Sequence, residues 1–194
     1  MAKLFFKYGT MKSGKSMHLL MTAHNYESQG KKVLIYTSRL DDRWGTSKVR
    51  SRVGIQKDSR IVKHNILEEV ANEGNVNCVL VDESQFLSIE DVLNLTEIVD
   101  ILNIPVICYG LKNDFQNELF EGSQSLLEYA DDIELIKTVC EHPECGKKAT
   151  MNLRFKDGEP TYSGTQILTG DNEYKPVCRK HYNNYKGELE HGRN

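Results

Sequence analysis

An α/β fold, a mostly parallel sheet flanked by helices with a small metal-bearing module appended, is predicted by three features of this 194-residue chain. A glycine-rich loop, GTMKSGKS, stands between an apolar run and a helical pattern. Short β-rich runs then alternate with amphipathic stretches, the signature of βαβ units. Two close Cys/His pairs lie in a polar stretch near the C-terminus.

The elements follow in order. Leu4 to Tyr8 is an apolar run ending at Gly9, and beyond the loop Met17, Leu20, Met21 and His24 recur at helical spacing up to a stop near Gly30. Val33 to Tyr36 supplies a second buried-type strand, and Cys78 to Val81 a third that ends in Asp82-Glu83. A helix with Val92, Leu95, Val99 and Leu102 on one face precedes a fourth strand, Pro105 to Tyr109. Arg39 to Lys63, rich in Arg, Lys, Asp, Ser and Gly, lacks apolar periodicity and reads as a long, mobile loop. After Ile136 the helical register stops, and Cys140 to Arg179 carries no sizeable apolar core. Residues 1–137 are therefore expected to form a nucleotide-binding domain and residues 138–194 a zinc-binding one.

Composition narrows the functional classes. With 39% apolar and 27% charged residues the chain reads as globular, and no apolar run approaches the ~20 residues that span a bilayer. The N-terminus passes from MAKLFFKY straight into the glycine-rich loop, unlike a signal peptide, so a cytoplasmic location with no membrane partner is expected. A net charge of -3 gives no general attraction to polyanions and weighs against nucleic acid as the main partner. In that compartment thiols stay reduced, so the five cysteines read as metal ligands or core residues. Cys78 and Cys108, inside apolar strands, belong to the second kind.

Gly9, Gly14, Lys15 and Ser16 satisfy GxxxxGK[ST] in the strand-to-helix setting that the motif requires. Its glycines turn backbone amides inward around a β-phosphate, and the helix N-terminus adds partial positive charge at the same point. Lys15 is placed to reach the β- and γ-phosphates, and the Ser16 hydroxyl to ligate Mg²⁺. Asp82, at the end of an apolar strand, stands where the magnesium-side acid belongs. Glu83 follows it, and alternation along an extended chain would turn it toward the acceptor as a general base; the blander reading is that both acids cap the next turn. Cys140 and Cys145, with Cys178 and His181, have the pairing of a structural zinc site, three thiolates and one imidazole, and His142 is a competing ligand.

Together these motifs resemble the type II thymidine kinase family, along nearly the whole chain. The resemblance is carried by the phosphate loop with Met11 in third place, VDESQF (Val81 to Phe86), YGLKNDFQNELFEGS (Tyr109 to Ser123), the paired zinc ligands and GDNEYKPVCRKH (Gly170 to His181). It implies a P-loop NTPase fold of the RecA-like kind plus a small zinc-binding lasso domain, and transfer of the ATP γ-phosphate to the 5′-hydroxyl of thymidine for DNA synthesis. The implied ATP site is Gly9, Thr10, Met11, Lys12, Ser13, Gly14, Lys15 and Ser16 with Asp82, Glu83, Ser84 and Gln85. Glu83 would be the catalytic base and Arg43 the arginine near the phosphates. Met11, Phe86, Leu111 and Phe115 would line the nucleoside pocket, and Tyr174 would belong to a lasso-like loop, Gly164 to Tyr174, that closes over the base. Feedback by dTTP and a homotetramer are further implications. On residue type alone Phe86, Leu111 and Phe115 would be core.

The chain departs from the family pattern at three places. Four residues rather than two separate Cys140 from Cys145; SRVG (Ser51 to Gly54) replaces a Ser/Thr-His segment; and Met151 or Asn152 stands where a small polar residue faces the thymine methyl. Competing readings are another small-molecule kinase on the same scaffold, a P-loop ATPase or nucleic-acid motor with a zinc module, and a zinc-ribbon binding module. Motors require further nucleic-acid motifs, and the intact Lys15, Ser16, Asp82 and Glu83 weigh against a degenerate nucleotide site.

Overall fold

The structure, a computed structural model, describes residues 1–39, 48–166 and 173–191. Six strands form the main sheet: β1 (Leu4–Tyr8), β2 (Lys32–Thr37), β5 (Arg60–Ile61), β6 (Val76–Asp82), β7 (Val106–Gly110) and β8 (Asp132–Leu135), in the order β5-β2-β6-β7-β1-β8. Every pairing in it is parallel. This is the predicted mostly parallel sheet, with β7 inserted between the strand that precedes the phosphate loop and the strand that ends in Asp82.

Strand alternation sorts the core into two layers. Phe6, Val79, Val81 and Cys108 turn to one face, where α2 (Ile66–Glu73), α3 (Ile89–Leu102) and α4 (Glu121–Tyr129) pack. Cys78, Leu80, Ile107 and Tyr109 turn to the other, against Leu19, Leu20 and Ala23 of α1 (Lys15–Glu27). Both strand cysteines are fully buried, as expected of inert core residues. Asp82 shares the parity of Cys78 and Leu80, which places its side chain on the α1 face.

The rotation of α1 differs from the one its apolar spacing predicts. Met21 is 55% exposed and His24 is exposed, while Leu19, Leu20 and Ala23 meet the sheet. Lys15 is itself buried at the first turn, and that anchoring sets the face that the next turns present. On α3 the predicted face holds, and Ser88 with Asp91 completes a capping box at its start.

Arg39–Lys63 is a loop only in part. Its described residues include an antiparallel pair, β3 (Lys48–Arg50) with β4 (Gln56–Asp58), followed by β5. These strands are too short and too exposed to leave an apolar pattern.

The C-terminal stretch folds as a separate three-stranded antiparallel sheet, β9 (Met151–Lys156) flanked by β10 (Glu159–Thr161) and β11 (Glu173–Val177), followed by α5 (Arg179–His191). Contrary to the sequence expectation it has a small core of its own, in which Leu153, Phe155, Val177 and Tyr182 pack beside Cys140 and Cys178. Those apolar residues are scattered among polar ones, so no periodicity announces them. No helix among the described residues is long and apolar enough to cross a membrane.

Candidate active site and metal centre

The phosphate loop leaves β1 at Gly9 and enters α1 at Lys15. Gly9 is required by packing: a Cβ there would lie 2.4 Å from Ser13 Oγ and 2.8 Å from the Ile136 carbonyl. Gly14 takes φ 84°, a left-handed turn that glycine adopts without penalty, and Lys12 takes φ 61°. Lys15 Nζ donates to the Thr10 carbonyl at 2.9 Å, across the mouth of the loop.

Asp82 reaches this loop from the end of β6. Burial, followed by the neighbouring Glu83 charge, pushes its carboxyl up to about 7, against a downward pull from the Ser16 hydroxyl and Lys15. Its Oδ1 is buried without a hydrogen-bond partner, as are Thr10 Oγ1, Ser13 Oγ and Ser84 Oγ. A divalent cation beside Ser16 and Asp82 would satisfy the orphaned oxygen with the hard ligands that magnesium selects, so these residues fit the ion. Sequence reading missed Thr37 and Ser38 at the end of β2; Thr37 pairs with Asp82 in register, and both hydroxyls are likewise buried and unpartnered. No motif marks them.

Glu83 stands beyond the strand, not on it. Its φ of 51° and ψ of 37° are left-handed, so strand alternation does not direct its side chain. A sharp left-handed turn at the strand end does so, and a single 3-10 turn, Ser84–Phe86, follows. Gln85 Nε2 donates to Glu83 Oε2 at 2.6 Å, and Gln85 Oε1 accepts from the Leu111 amide at 3.0 Å. Gly110 makes this possible, since a Cβ there would sit 2.7 Å from Ser84 Oγ and 2.9 Å from Gln85 Oε1.

The apolar candidates divide by exposure. Phe86 and Leu111 are half-buried beside this network, Phe86 edge-on to Phe120 at 5.6 Å. Phe115 is 1% exposed, and the Tyr182 hydroxyl donates to its carbonyl at 2.8 Å. Met11 joins them through Asn152, whose Oδ1 accepts from the Met11 amide at 2.8 Å while its Nδ2 donates to the Asn113 carbonyl at 3.1 Å. Asn152 is thereby committed to holding the phosphate loop against β9. Tyr174 lies within β11, paired with Arg154, and Arg43 lies outside the described residues, as does part of the Gly164 to Tyr174 stretch. A broad open cavity of about 540 Å³ lies elsewhere, lined by residues of α1, β2, β4 and β5 such as Glu27, Ile35 and Arg60.

Cys140, Cys145, Cys178 and His181 come together with their ligand atoms within 4.8 Å of one another. Cys145 Sγ is 4.0 Å from Cys178 Sγ, and His181 Nδ1 is 3.4 Å from Cys140 Sγ and 3.5 Å from Cys178 Sγ. The edges of a zinc tetrahedron with such ligands are about 3.8 Å between sulfurs and about 3.6 Å from sulfur to nitrogen, so this donor set fits zinc. Burial, then His142, holds His181 below its ordinary value, which favours the neutral ring that ligation requires. His142 stacks on His181 at 3.7 Å and is not among the four.

The family model described as thymidine kinase matches residues 2–182. A thymidine kinase of Streptococcus pyogenes serotype M3 is 54% identical over 188 residues, covering 95% of this chain and 98% of its own. That of Lactiplantibacillus plantarum is 55% identical over 186 residues, covering 94% and 96%, and that of Lactobacillus johnsonii 50% over 194 residues, also covering 94% and 96%. A solved structure of AMPPCP-bound DnaA from Aquifex aeolicus overlaps 58% of this chain and 33% of its own at TM-score 0.34 and 17% identity, a likeness too remote to use. With a matched span from residue 2 to residue 182 and relatives identical at half or more of the aligned positions, the chain belongs to the thymidine kinase family.

Proposed function

We propose that the protein transfers the γ-phosphoryl group of ATP to the 5′-hydroxyl of thymidine, giving dTMP for nucleotide salvage in the cytoplasm. The observation that carries this reading is the chain of contacts from the acid at the strand end to the next strand's exit: Glu83 to Gln85 to the Leu111 amide. It ties a carboxylate to the segments that carry two half-buried apolar side chains, Phe86 and Leu111, which suit the flat face of a pyrimidine.

Phosphoryl transfer passes through a loose transition state, so catalysis is mainly positioning and charge balance. Backbone amides of Thr10, Met11, Lys12, Ser13 and Gly14 cradle the phosphates, and Lys15 gives up its Thr10 carbonyl to meet them. Ser16 and Asp82 would hold magnesium, which would supply charge neutralisation for the transferred group. Glu83 accepts the hydroxyl proton and, with Gln85 fixing its carboxylate, keeps the nucleophile in line. Arg43 is the proposed second cation near the phosphates, Ser84 lines the ATP side, and Met11, Phe115 and Tyr174 complete the nucleoside pocket. Zinc at the Cys140 cluster is structural. As in the family resemblance, the enzyme is taken to be a homotetramer.

The test is a phosphorylation assay with thymidine, deoxyuridine, deoxycytidine and deoxyguanosine side by side, on the native protein and on Glu83→Gln. Thymidine should lead the panel. The amide keeps the shape but not the basicity, so turnover should fall roughly 10²-fold or more while ATP still binds. A purine nucleoside leading, or near-native turnover in the variant, would refute the reading.

A further inference from the structure

Arg154 on β9 carries a buried charge that neither the phosphate site nor the zinc cluster uses. The residue is 3% exposed, and its guanidinium carbon lies 3.6 Å from the centroid of the Phe115 ring. Nη2 donates to the Ser163 carbonyl at 2.5 Å and Nη1 to the Thr165 carbonyl at 3.2 Å. Among the described residues it meets carbonyl oxygens and a ring face but no carboxylate. Between those two carbonyls stands Gly164 at φ 118°, where a Cβ would come within 2.6 Å of Nη2. From the other side Gln116 Nε2 donates to the Gly164 carbonyl at 3.0 Å.

A guanidinium taken out of water is costly, and an acid partner is the usual remedy. Here a planar fork grips two backbone carbonyls flanking Gly164 while its face lies on an aromatic ring, which a lysine could not do at once. We propose that Arg154 is a positioning residue for nucleoside recognition. It locks the Phe115 ring and the Ser163–Thr165 backbone into one arrangement, so that the pocket floor and the start of the 164–174 stretch are preorganised for a flat heteroaromatic base. The inference rests on the proposed role of Phe115 and that stretch in holding thymidine.

The experiment compares Arg154→Met, Arg154→Lys and Phe115→Ala in steady-state kinetics against each substrate, with zinc content and thermal midpoint measured alongside. In Arg154→Met the thymidine KM should rise roughly tenfold or more while the ATP KM stays within about twofold. Arg154→Lys, keeping charge but not fork, should fall between that variant and the native protein. If Arg154→Met does not fold, Arg154→Lys decides alone: a rise confined to the thymidine KM supports the assignment, and its absence overturns it. Equal rises in both KM values, or an unchanged thymidine KM in a folded Arg154→Met, overturn it as well. A rise in Phe115→Ala without one at Arg154 would refute only the role of Arg154; no rise in Phe115→Ala would refute the pocket itself.

Discussion

Asp82 shows how one residue ties stability to ligand binding. Burial holds its acid neutral, with a pKa of about 7 against an unfolded carboxylate near 4. Because the folded value is raised, its contribution to stability is fully present below about pH 4 and is lost as pH climbs through 7. Magnesium at the proposed site would need the carboxylate and would displace the proton. In the metal-free protein Asp82→Asn should raise the thermal midpoint at pH 8 and change it little at pH 4, and it should abolish the extra stabilisation that magnesium adds to ATP; scanning fluorimetry at both pH values checks this. A variant destabilised at pH 8 would show that the acid is charged and paired in the native state. Lys15 and the Cys3His group could be picked out because each residue type stands at a fixed spacing in a motif, and Asp82 because it ends an apolar strand. Arg154, Asn152 and Thr37 could not, because their roles arise from partners 9 to 141 positions away in sequence or across a sheet.

At the scale of elements, the helix that carries His181 reaches the proposed pocket. His181 closes the Cys140 cluster, and the next residue, Tyr182, donates to the Phe115 carbonyl while accepting at its own carbonyl from the Tyr162 hydroxyl. Stripping the metal should therefore loosen β9 and β11 before β6 and β7, and it should raise the thymidine KM before turnover collapses. Hydrogen exchange and kinetics during titration with a chelator would follow both. Simultaneous loss of protection in both sheets would contradict the order, and elemental analysis should find about one zinc per chain. The central strands could be read from unbroken apolar runs. Edge strands could not: β8 reads DIEL with three of four residues exposed, and polar, short β3, β4 and β5 give no periodicity.

Over the whole molecule, Asn152 and Tyr182 tie the C-terminal sheet and helix to the phosphate loop and the Phe115 turn, which would hold the proposed acceptor and donor sites together. In-line transfer sets the acceptor oxygen beside the γ-phosphate, and a nucleoside bearing its own triphosphate would span both sites. Inhibition by dTTP should accordingly be competitive toward thymidine and should weaken in Tyr174→Ala and Phe115→Ala; identical inhibition in those variants would refute such bridging. Glu83 has a last consequence, one for selection. Its left-handed backbone costs a side-chain-bearing residue roughly 1–2 kcal/mol that glycine would not pay. With Glu83 as the proposed base, a laboratory screen rewarding heat resistance alone would thus favour glycine at position 83 and breed a sturdier protein without the proposed activity, whereas a cell that needs that activity would keep the strain.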